Sequence, residues 1–446
     1  MAESEQLIES LEQFLSCNTL PNIWWIGYSG GMDSTVLLYA LKQISRHYPS
    51  VQLRAIHVNH GIAEQADEWE EHCRDFCHWL NVKFHSEKVT LSNQTRQGLE
   101  QLARKERWRV FQNKISKNDV LWLAHHKDDQ VETIFLNLLR GSGVAGVRGM
   151  QADSQRYDIQ VLRPFLNSCR SQLAEFANTH QLNWIDDPSN FESDQRRNFL
   201  RNDILPVIEK QWSGYRDPVV RFGKHMESTQ RLLDEFAESD FRQVYKEEQD
   251  GLSIADLKVL SWDRLINLLR YWIVQFELMA PSSSKLEEFV RQLQESTIDS
   301  QITLATGEYC LKQSGQCLYM IPEALTQPVD YEYHWANFPE TIVLPKINRQ
   351  LTASTNSKRG IRAPDKSVRV TVRSRKGGER CWPHTRSKAT TLKKFFNESG
   401  VPGWERDKIP LVFYDEQLVA AVGYFYDYSF FAEPGSAIEF KLEEKS

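Results

Sequence analysis

The sequence predicts an α/β protein in which a doubly wound parallel sheet comes first, followed by a mainly helical middle domain and a small, basic α+β domain. In the first part of the chain, short apolar runs alternate with helical patterns, as in a parallel sheet covered on both faces. Long helical patterns then dominate, and cations concentrate near the end. At 446 residues the chain exceeds what one core usually holds. We predict three domains: residues 1–215, 216–326 and 340–446.

The composition indicates a globular protein from a reducing compartment. Hydrophobic residues make up 41% of the chain, and the formal net charge is −6. Seven cysteines, an odd number spread over a long chain, do not resemble a disulfide framework. The N-terminal segment is acidic where a signal peptide is basic, and no apolar run approaches the roughly 18 residues of a membrane span. We therefore predict a soluble, cytoplasmic protein without membrane contacts.

Residues 23–41 predict a strand, a tight turn and a helix. The apolar run Ile23–Ile26 ends in Ser29–Gly31, and apolar residues recur at helical spacing after Asp33. Adjacent glycines let the backbone turn sharply and approach a ligand, while the first N–H groups of the helix point unpaired into that turn. Such a turn attracts phosphate. The alternative is an ordinary helix start, which Asp33 and Ser34 would cap.

Further polar residues are predicted at the same edge of the sheet. Two more strands flank a helix within residues 51–89. Ligands of parallel sheets lie beyond the carboxyl ends of the strands, where the Ser29 loop and the turn His57–Gly61 both fall. His57 and Asn59 could contact a nucleotide there, or they could simply belong to a turn, which Asn and Gly favour.

A metal site in the helix between these strands is less well supported. His72, Cys73, Cys77 and His78 carry ligand side chains, but no second ligand pair follows at the spacing of a zinc finger. Two partly buried thiols are the preferred interpretation.

A basic helix is predicted within residues 98–111. Arg104 and Arg107 are three residues apart and therefore share a face of this helix. They could form a solvated basic face, or the two guanidiniums could bind phosphate groups together.

The strand Val120–Ala124 runs into a dense polar segment, His125–Thr133. Asp129 and Glu132 are three residues apart on the first turn of the next helix, so both carboxylates can face one ligand. They could instead only complement the helix dipole. The adjacent histidines could suggest a metal, but cation recognition or base catalysis fits better beside a phosphate-binding loop.

The glycines that follow this helix match a dinucleotide-binding pattern without its context. Gly141, Gly143 and Gly146 have the right spacing, but they come after a helix and not after a strand. We expect a mobile, glycine-rich loop that orders over substrate.

Two basic segments could contact nucleic acid. Arg196, Arg197 and Arg201 lie within six residues and could form a solvated helix face or grip an RNA backbone. Between residues 361 and 410 there are 13 Lys or Arg against 5 Asp or Glu in an otherwise acidic protein. Aromatic side chains for base stacking are interleaved with them, namely Trp382, His384 and Trp404. A basic patch of no function is the alternative.

The succession of these motifs resembles known families. Ser-Gly-Gly-x-Asp-Ser (Ser29–Ser34) is similar to the loop of the PP-loop ATP pyrophosphatases, which have an adenine nucleotide alpha hydrolase-like fold and adenylate carbonyl oxygens. Nearly the whole chain resembles the bacterial tRNA(Ile)-lysidine synthetase family, and its basic segment Arg375–Arg380 behind a helical middle domain is the most specific match. The matching segments are Ser29–Ser34, His57–Gly61, Ala103–Trp108, His125–Thr133, Gly141–Met150, Asp187–Asn190 with Arg197–Arg201, and Arg373–Arg380 with Leu392–Lys394.

The resemblance implies a reaction in two steps. ATP adenylates the wobble cytidine, position 34, of a tRNA(Ile) with a CAU anticodon. L-lysine then displaces AMP at C2, which forms lysidine and changes the specificity of the tRNA from methionine to isoleucine. The implied ligands are ATP with Mg²⁺, L-lysine and this tRNA, and the sequence leaves the oligomeric state open, with a homodimer as one arrangement.

The resemblance also implies roles for individual residues. Arg104 and Arg107 would stabilise charge developing on phosphate, and Asp129 and Glu132 would bind the lysine ammonium group and take a proton from it. Asp33 would hold Mg²⁺, which completes the implied catalytic set. The implied nucleotide contacts are Ser29, Gly30, Gly31, Asp33, Ser34, His57 and Asn59. The implied tRNA contacts are Arg197, Arg201, Arg373, Arg375, Arg380, Lys393 and Lys394.

Three other functions share parts of this pattern. A tRNA thiolase also adenylates a base carbonyl, but it needs paired, exposed cysteines, and Cys73 and Cys77 are the only close pair. A glutamine-fed amidotransferase needs a glutaminase domain with a nucleophilic cysteine, for which the sequence offers no candidate. An RNA-binding adaptor with a decayed ATP loop is disfavoured by the intact Asp33, Asp129 and Glu132.

Overall fold

Alternating strands and helices form the first of two units, as the sequence pattern predicts. The units are Met1–Leu232 and Leu233–Ser446. A computed structural model of the chain describes residues 2–16, 20–61, 65–90, 96–186, 196–276, 278, 280–297, 300, 302–357, 359–365, 367–432 and 436–444. Among these residues, no helix combines the length and the apolar character that crossing a membrane requires.

The first unit is built on a six-stranded sheet. Its strands are β1 (Ile23–Gly27), β2 (Gln52–Asn59), β3 (Lys83–Lys88), β4 (Val120–Trp122), β5 (Asp153–Arg156) and β6 (Ile159–Leu162). Their order is β3-β2-β1-β4-β6-β5, and all neighbours are parallel except the β5–β6 hairpin. The sequence predicts an extended stretch that ends at Arg163–Leu166, where β6 lies, but it does not predict β5 or the hairpin, because a four-residue strand carries little periodicity.

Helices cover both faces of this sheet. The helices described in this unit are α1 (Ala2–Ser16), α2 (Met32–Ile44), α3 (Ala66–Trp79), α4 (Arg96–Lys114), α5 (Lys127–Leu139), α6 (Val144–Val147), α7 (Arg170–Thr179), α8 (Arg196–Phe199), α9 (Leu205–Gln211) and α10 (Arg216–Val244), which contains the division between the units. Adjacent side chains of β1 point to opposite faces. Trp24 packs with α1, α2 and α7, whereas Trp25 packs with α4. The predicted amphipathic helix α1 buries Leu7, Leu11 and Leu15 in the first of these cores.

The second unit begins with helices packed on an antiparallel sheet. The helices are α11 (Ile254–Leu257), α12 (Trp262–Gln275) and α13 (Ser283–Glu295), and the strands are β7 (Tyr245–Lys246), β8 (Gly251–Ser253), β9 (Thr303–Ala305), β10 (Tyr309–Ser314) and β11 (Cys317–Pro322). The sheet has the order β7-β8-β11-β10-β9. The sequence predicts the long helices and the extended runs at β9 and β11. It misses β7 and β8, which have two and three residues, and also β10, which has six, because strand formation depends on the neighbouring strands more than on local propensity.

The last part of the chain is a β-rich domain with one helix. Its strands are β12 (Glu332–His334), β13 (Ile342–Leu344), β14 (Arg349–Ser357), β15 (Gly360–Ile361), β16 (Val370–Arg373), β17 (Arg380–Cys381), β18 (Thr390–Thr391), β19 (Leu411–Tyr414), β20 (Gln417–Ala421), β21 (Phe425–Tyr426), β22 (Phe431–Ala432) and β23 (Ala437–Glu444), and its helix is α14 (Leu392–Glu398). Two five-stranded antiparallel sheets, β12-β16-β19-β20-β21 and β13-β14-β23-β15-β22, share one apolar core. The short pair β17–β18 leads into α14.

Candidate active site

The loop between β1 and α2 closes on itself through its two serines. The hydroxyl oxygens of Ser29 and Ser34 are 3.0 Å apart, and Ser34 Oγ donates to the Gly31 carbonyl at 3.0 Å. Gly31 is the N-cap residue of α2 and makes no side-chain cap. The capped helix start considered as the alternative is therefore not what forms. Instead, the N-terminus of α2 is left available to an anion.

Gly30 lets this loop pass close to two neighbouring segments. Its φ is +85°, and a Cβ at this position would lie 2.6 Å from Ile185 Cδ1 and 2.8 Å from Cys73 Sγ. The Ile185 N–H donates to the Gly30 carbonyl at 2.9 Å. Both the left-handed backbone and the lack of space therefore require glycine here.

One histidine connects this loop to the acids that follow β4. His126 Nε2 lies 3.5 Å from Asp33 Oδ2 and 3.4 Å from Asp129 Oδ2, and the His126 side chain is 2% exposed. His126 is also the N-cap of α5: the Asp129 N–H donates to its Nδ1 at 3.4 Å, and the His126 N–H donates to Asp129 Oδ2 at 3.1 Å. This reciprocal capping holds the imidazole between the two carboxylates. This capping has a signal in the sequence, because an acid three residues after a polar residue at a predicted helix start is typical of a capping box.

Asp129 and Glu132 lie on one face of α5, as predicted, and both are paired with arginines. Glu132, 1% exposed, accepts from Arg197 Nε at 2.7 Å and from Arg201 Nε at 2.6 Å. Asp129 Oδ1 accepts from Arg197 Nη2 at 2.9 Å and from Arg201 Nη2 at 3.3 Å. The predicted lysine site and two predicted tRNA contacts thus meet in one cluster. Residues 187–190, which belong to the matching segments, lie outside the described residues.

Burial and charge act in opposite directions in this cluster. Burial lowers the pKa of His126, but its hydrogen bond to Asp33 and the charges of the adjacent acids outweigh burial and raise this pKa above its ordinary value. Burial raises the pKa of Asp129, but the charges of His126 and Arg197 outweigh it, so the net shift is downward. Burial and nearby arginines lower the pKa of His125 to about 3, so this imidazole is neutral. The raised pKa of His126 and the lowered pKa of Asp129 describe one ion pair, so part of the negative charge of Asp129 is already balanced within the protein.

Sequence reasoning missed an ion pair beside these acids. Asp128 Oδ1 accepts from Arg216 Nε at 2.6 Å, and its Oδ2 accepts from the Arg170 N–H at 3.0 Å. Arg216 also pairs with Glu209. No local pattern predicts a pair whose members are 88 positions apart in sequence.

His57 and Asn59, at the end of β2, are engaged in contacts within the protein. His57 Nδ1 is 2.9 Å from the Tyr28 carbonyl oxygen, and Asn59 Nδ2 donates to Asp67 Oδ1 at 2.9 Å and to Glu70 Oε2 at 3.1 Å. Both residues are buried. They shape the edge of the sheet, and their predicted contact with the nucleotide stays a prediction.

Arg104 and Arg107 lie on α4, with exposed side chains. Arg107 Nη2 is 3.5 Å from His60 Nε2, and burial together with this charge lowers the pKa of His60 to about 4. The charge of Arg104 acts on His125 and contributes, after burial, to a pKa of about 10 for Arg163. Both arginines are therefore close to groups at the carboxyl ends of the strands.

The glycine-rich segment after α5 is held in place by that helix. The Gln130 side chain donates to the Met150 carbonyl at 2.8 Å and accepts from the Met150 N–H at 2.7 Å. Asn137 Nδ2 donates to the Gly146 carbonyl at 2.8 Å, and part of the segment forms α6. The segment therefore has a defined structure, and its ordering over substrate stays a prediction.

The cysteines of α3 are buried thiols. Cys73 and Cys77 are both 0% exposed, and burial raises the pKa of both, to about 12 for Cys77. Such thiols lack the exposure that sulfur transfer requires. In the part of the chain that the structure describes, no three or more His, Cys, Asp or Glu side chains are grouped to hold a metal ion.

Two of the predicted tRNA-binding arginines are built into the C-terminal domain. Arg373 Nη1 donates to Glu379 Oε1 at 3.0 Å, and the Arg373 guanidinium carbon lies 4.0 Å from the ring centre of Phe413. Its side chain is only 15% exposed. Arg375 Nε donates to Asp407 Oδ1 at 2.6 Å. These arginines hold the fold together at the positions where the resemblance implies RNA contacts.

Other predicted basic residues of this domain are on its surface. Arg380 on β17 and Lys393 and Lys394 on α14 are exposed. Of the interleaved aromatic residues, Trp382 stacks on Tyr428 with 4.6 Å between ring centres. Trp404, 9% exposed, packs in a small apolar cluster and is not available for stacking on a base.

A glycine turn before a helix, at the carboxyl edge of a parallel sheet and next to a cluster of acids, is typical of nucleotide-binding α/β enzymes. The family model described as the PP-loop domain matches residues 3–208. Those described as the TilS substrate binding domain and the TilS substrate C-terminal domain match residues 252–319 and 370–441.

The chain belongs to the tRNA(Ile)-lysidine synthase family. The tRNA(Ile)-lysidine synthase of Coxiella burnetii is 34% identical over 416 residues, which are 93% of this chain and 92% of that protein. That of Photorhabdus laumondii is 36% identical over 406 residues, with 90% and 89% covered. Among solved structures, a U34-tRNA thiolase from Methanococcus maripaludis matches with 20% identity and a TM-score of 0.42, over 50% of this chain and 78% of that one.

Proposed function

We propose that this chain, an ATP-dependent tRNA-modifying ligase, forms lysidine on tRNA(Ile) where the Ser29–Ser34 loop meets the acids of α5. The contacts of His126 with Asp33 and Asp129 carry this proposal, because they join the phosphate loop and the acids in one site. Adenylation followed by attack of an amine needs both groups in one place, since the activated base must not be exposed to water in between.

Adenylation comes first because the C2 carbon of cytosine is a poor electrophile. The C2 carbonyl oxygen attacks the α-phosphate of ATP, and pyrophosphate leaves with the electron pair of the broken P–O bond. The Ser29–Ser34 loop and the N-terminus of α2 bind the phosphates. Arg104 and Arg107 stabilise the charge that develops on them.

Asp33 fits a Mg²⁺ ligand. Its Oδ1 is buried and has no hydrogen-bond partner among the described residues, and carboxylate oxygen is a preferred ligand of Mg²⁺. A Mg²⁺ ion bound there would neutralise phosphate charge.

Lysine binds through its ammonium group to Asp129 and Glu132. The carboxylates receive a proton from the ammonium group, and the resulting amine attacks C2 of the adenylated cytosine. AMP leaves with the electron pair of the C2–O bond. Asp129 is suited to the binding step because its lowered pKa keeps it ionised.

The tRNA contacts exposed cations in both units. In the C-terminal domain these are Arg380, Lys393 and Lys394. Arg373 and Arg375 support that surface through their pairs with Glu379 and Asp407. In the catalytic unit, Arg197 and Arg201 have partly exposed side chains and contact phosphate once they leave the acids.

Incubation of the chain with ATP, radiolabelled L-lysine and total bacterial tRNA tests this function. We expect the label only in the tRNA(Ile) with a CAU anticodon, and AMP release that requires both tRNA and lysine. Lysine left unincorporated would overturn the proposal and favour a thiolase, and ATP left uncleaved would favour an RNA-binding adaptor.

These substrates are those of the cytoplasm, where we propose that the protein acts. We propose a homodimer as its assembly, which sedimentation of the purified chain would test.

A further inference from the structure

The acid pair proposed to bind lysine is already paired with the protein's own cations. Glu132 Oε1 accepts from Arg201 Nε at 2.6 Å, and Glu132 Oε2 accepts from Arg197 Nε at 2.7 Å and from Arg201 Nη2 at 2.9 Å. Asp129 Oδ1 accepts from both arginines, and Asp129 Oδ2 contacts His126. Two guanidiniums balance two carboxylates and occupy most of their acceptor sites, so a further ammonium group finds little room and no unpaired carboxylate charge on Asp129 or Glu132.

The arginines are better placed to leave than the acids. Glu132 is 1% exposed and Asp129 is 13% exposed, whereas the side chains of Arg197 and Arg201 are 32% and 35% exposed. Arg201 lies in a π-helical turn, residues 200–204, directly after α8. Such turns depart from regular helical packing and are frequent at functional sites. A phosphate can therefore approach the guanidiniums from solvent, while the buried carboxylates stay on the rigid helix α5.

The arginines can leave the carboxylates without a large energetic cost only if both lysine and a phosphate group bind. A buried carboxylate that loses its cation without replacement is strongly destabilised, so the arginines do not leave Glu132 on their own. Lysine can replace a guanidinium at Glu132, and a phosphate can replace a carboxylate at the guanidinium, which it binds bidentately. The two replacements complete each other, so binding of lysine and binding of phosphate are coupled with a positive sign.

We propose that Arg197 and Arg201 are positioning residues that close the lysine site until a phosphate group, from ATP or from the tRNA backbone, takes a guanidinium from Asp129 and Glu132. This inference rests on the proposed binding of lysine by these acids. It adds an order to the reaction: the amine is admitted after a phosphate-bearing substrate has bound. It also explains how lysine binding and phosphate binding can share one place, because the same arginines pair first with the acids and then with phosphate.

Binding of radiolabelled L-lysine to the full chain by equilibrium dialysis tests the coupling. The experiment has three conditions: protein alone, protein with a non-hydrolysable ATP analogue, and protein with tRNA(Ile) in the absence of ATP. We expect the lysine Kd to fall by about tenfold or more in at least one of the two conditions with phosphate, within the usual range of coupling between sites. The condition that responds identifies the source of the phosphate. Equal Kd values in all three conditions would overturn the inference without any variant being needed.

Two variants and a matched control separate closing from direct binding. In Arg201→Gln we expect lysine to bind without a phosphate-bearing ligand, so the lysine Kd should differ less between the three conditions. Arg201→Lys should restore part of the coupling because it retains the positive charge. Lys210→Gln changes an exposed cation of the following helix α9 and should leave the coupling unchanged. Loss of lysine binding in Arg201→Gln, with thermal unfolding unchanged, would mean that the arginine binds lysine itself and would overturn the inference.

If these acids do not bind lysine at all, the experiment gives a result different from the one that overturns only the closing role of the arginines. Unaltered lysine binding by Glu132→Gln in every condition would remove the acids from the lysine site, whatever the arginine variants do. Reduced binding in Glu132→Gln together with equal Kd values in the three conditions with the wild-type protein would retain the lysine site and overturn only the closing role.

Discussion

His126 Nε2 lies 3.5 Å from the carboxylate of Asp33, across the gap between the phosphate loop and α5. Asp33 is on the first turn of α2 and His126 caps α5, so this contact aligns the N-termini of two helices at one edge of the sheet. Both helix dipoles then favour negative charge at the same place. A triphosphate and a reacting base can therefore share this edge.

Replacing Asp33 with Asn should abolish adenylation and leave tRNA binding intact. The variant loses the negative oxygen proposed for Mg²⁺ and the partner of His126. We expect ATP–pyrophosphate exchange to fall by roughly 100-fold or more, the scale for removing one charge-stabilising group. Filter binding of tRNA serves as the control. Exchange at the wild-type rate would contradict the role of Asp33.

The variant Glu132→Gln should raise the KM for lysine more than that for ATP. The amide retains the shape but loses the charge that holds a cation, which is worth about 1.5–3 kcal/mol for a charge-assisted hydrogen bond. We expect a KM for lysine about tenfold or more above the wild-type value. Because two arginines also lose a partner, thermal unfolding must be measured alongside. Equal increases in both KM values would argue against a lysine contact.

Neutralising Arg380, Lys393 and Lys394 together should weaken tRNA binding and flatten its salt dependence. All three are exposed in the C-terminal domain. Loss of each phosphate contact removes roughly 0.7–0.9 from the slope of log K against log salt. The matched comparison is Arg375→Ala, which we expect to lower stability with little change in slope, because Arg375 pairs with Asp407. A slope unchanged in the triple variant would exclude this surface from the interface.

Glu379 should make the stability of the C-terminal domain depend on pH. Burial raises the pKa of Glu379, but hydrogen bonds from the Lys376 N–H and from Arg373 outweigh it, so the folded-state pKa lies below the ordinary value of 4.5. This contribution is therefore complete above about pH 4.5 and is lost as the pH falls through the folded-state pKa.

The variant Glu379→Gln isolates this contribution. Because hydrogen bonds to a charged group contribute about 1.5–3 kcal/mol, we expect the variant to be destabilised by about that amount at pH 7 and by less at pH 3. Calorimetry of the full chain at both pH values measures the difference. A destabilisation that is the same at pH 7 and pH 3 would show that the charge of Glu379 is not involved.

Substituting Gly30 with Ala should disable the loop without unfolding the sheet. The left-handed backbone and the contacts with Ile185 and Cys73 would force the loop to shift, at a cost of about 1–3 kcal/mol. We expect loss of ATP–pyrophosphate exchange with a small change in Tm. Gly403→Ala is the control, because nothing lies within 4 Å of a Cβ there and no positive φ is present. Full exchange activity in Gly30→Ala would contradict the close approach.

Much of the catalytic unit could be predicted because its signals are local. Alternating apolar runs define the parallel sheet, and the motif Ser29–Ser34 defines its phosphate loop. In the basic C-terminal segment, the sequence did not predict which basic side chains are exposed and which are packed. Charge counting does not distinguish Arg373, which packs on Phe413, from Lys393, which is exposed. Whether a cation is packed or exposed depends on which side of its strand or helix faces the core, and a list of charges does not contain that information.

By itself, the sequence determined that Asp129 and Glu132 share a helix face, because a spacing of three residues has one geometric outcome in an α-helix. It also determined that a glycine turn precedes α2. Only the tertiary structure decided that Arg197 and Arg201 neutralise those acids. The arginines are 65 to 72 positions from the acids that they contact, and such ion pairs form only after the chain has brought distant segments together.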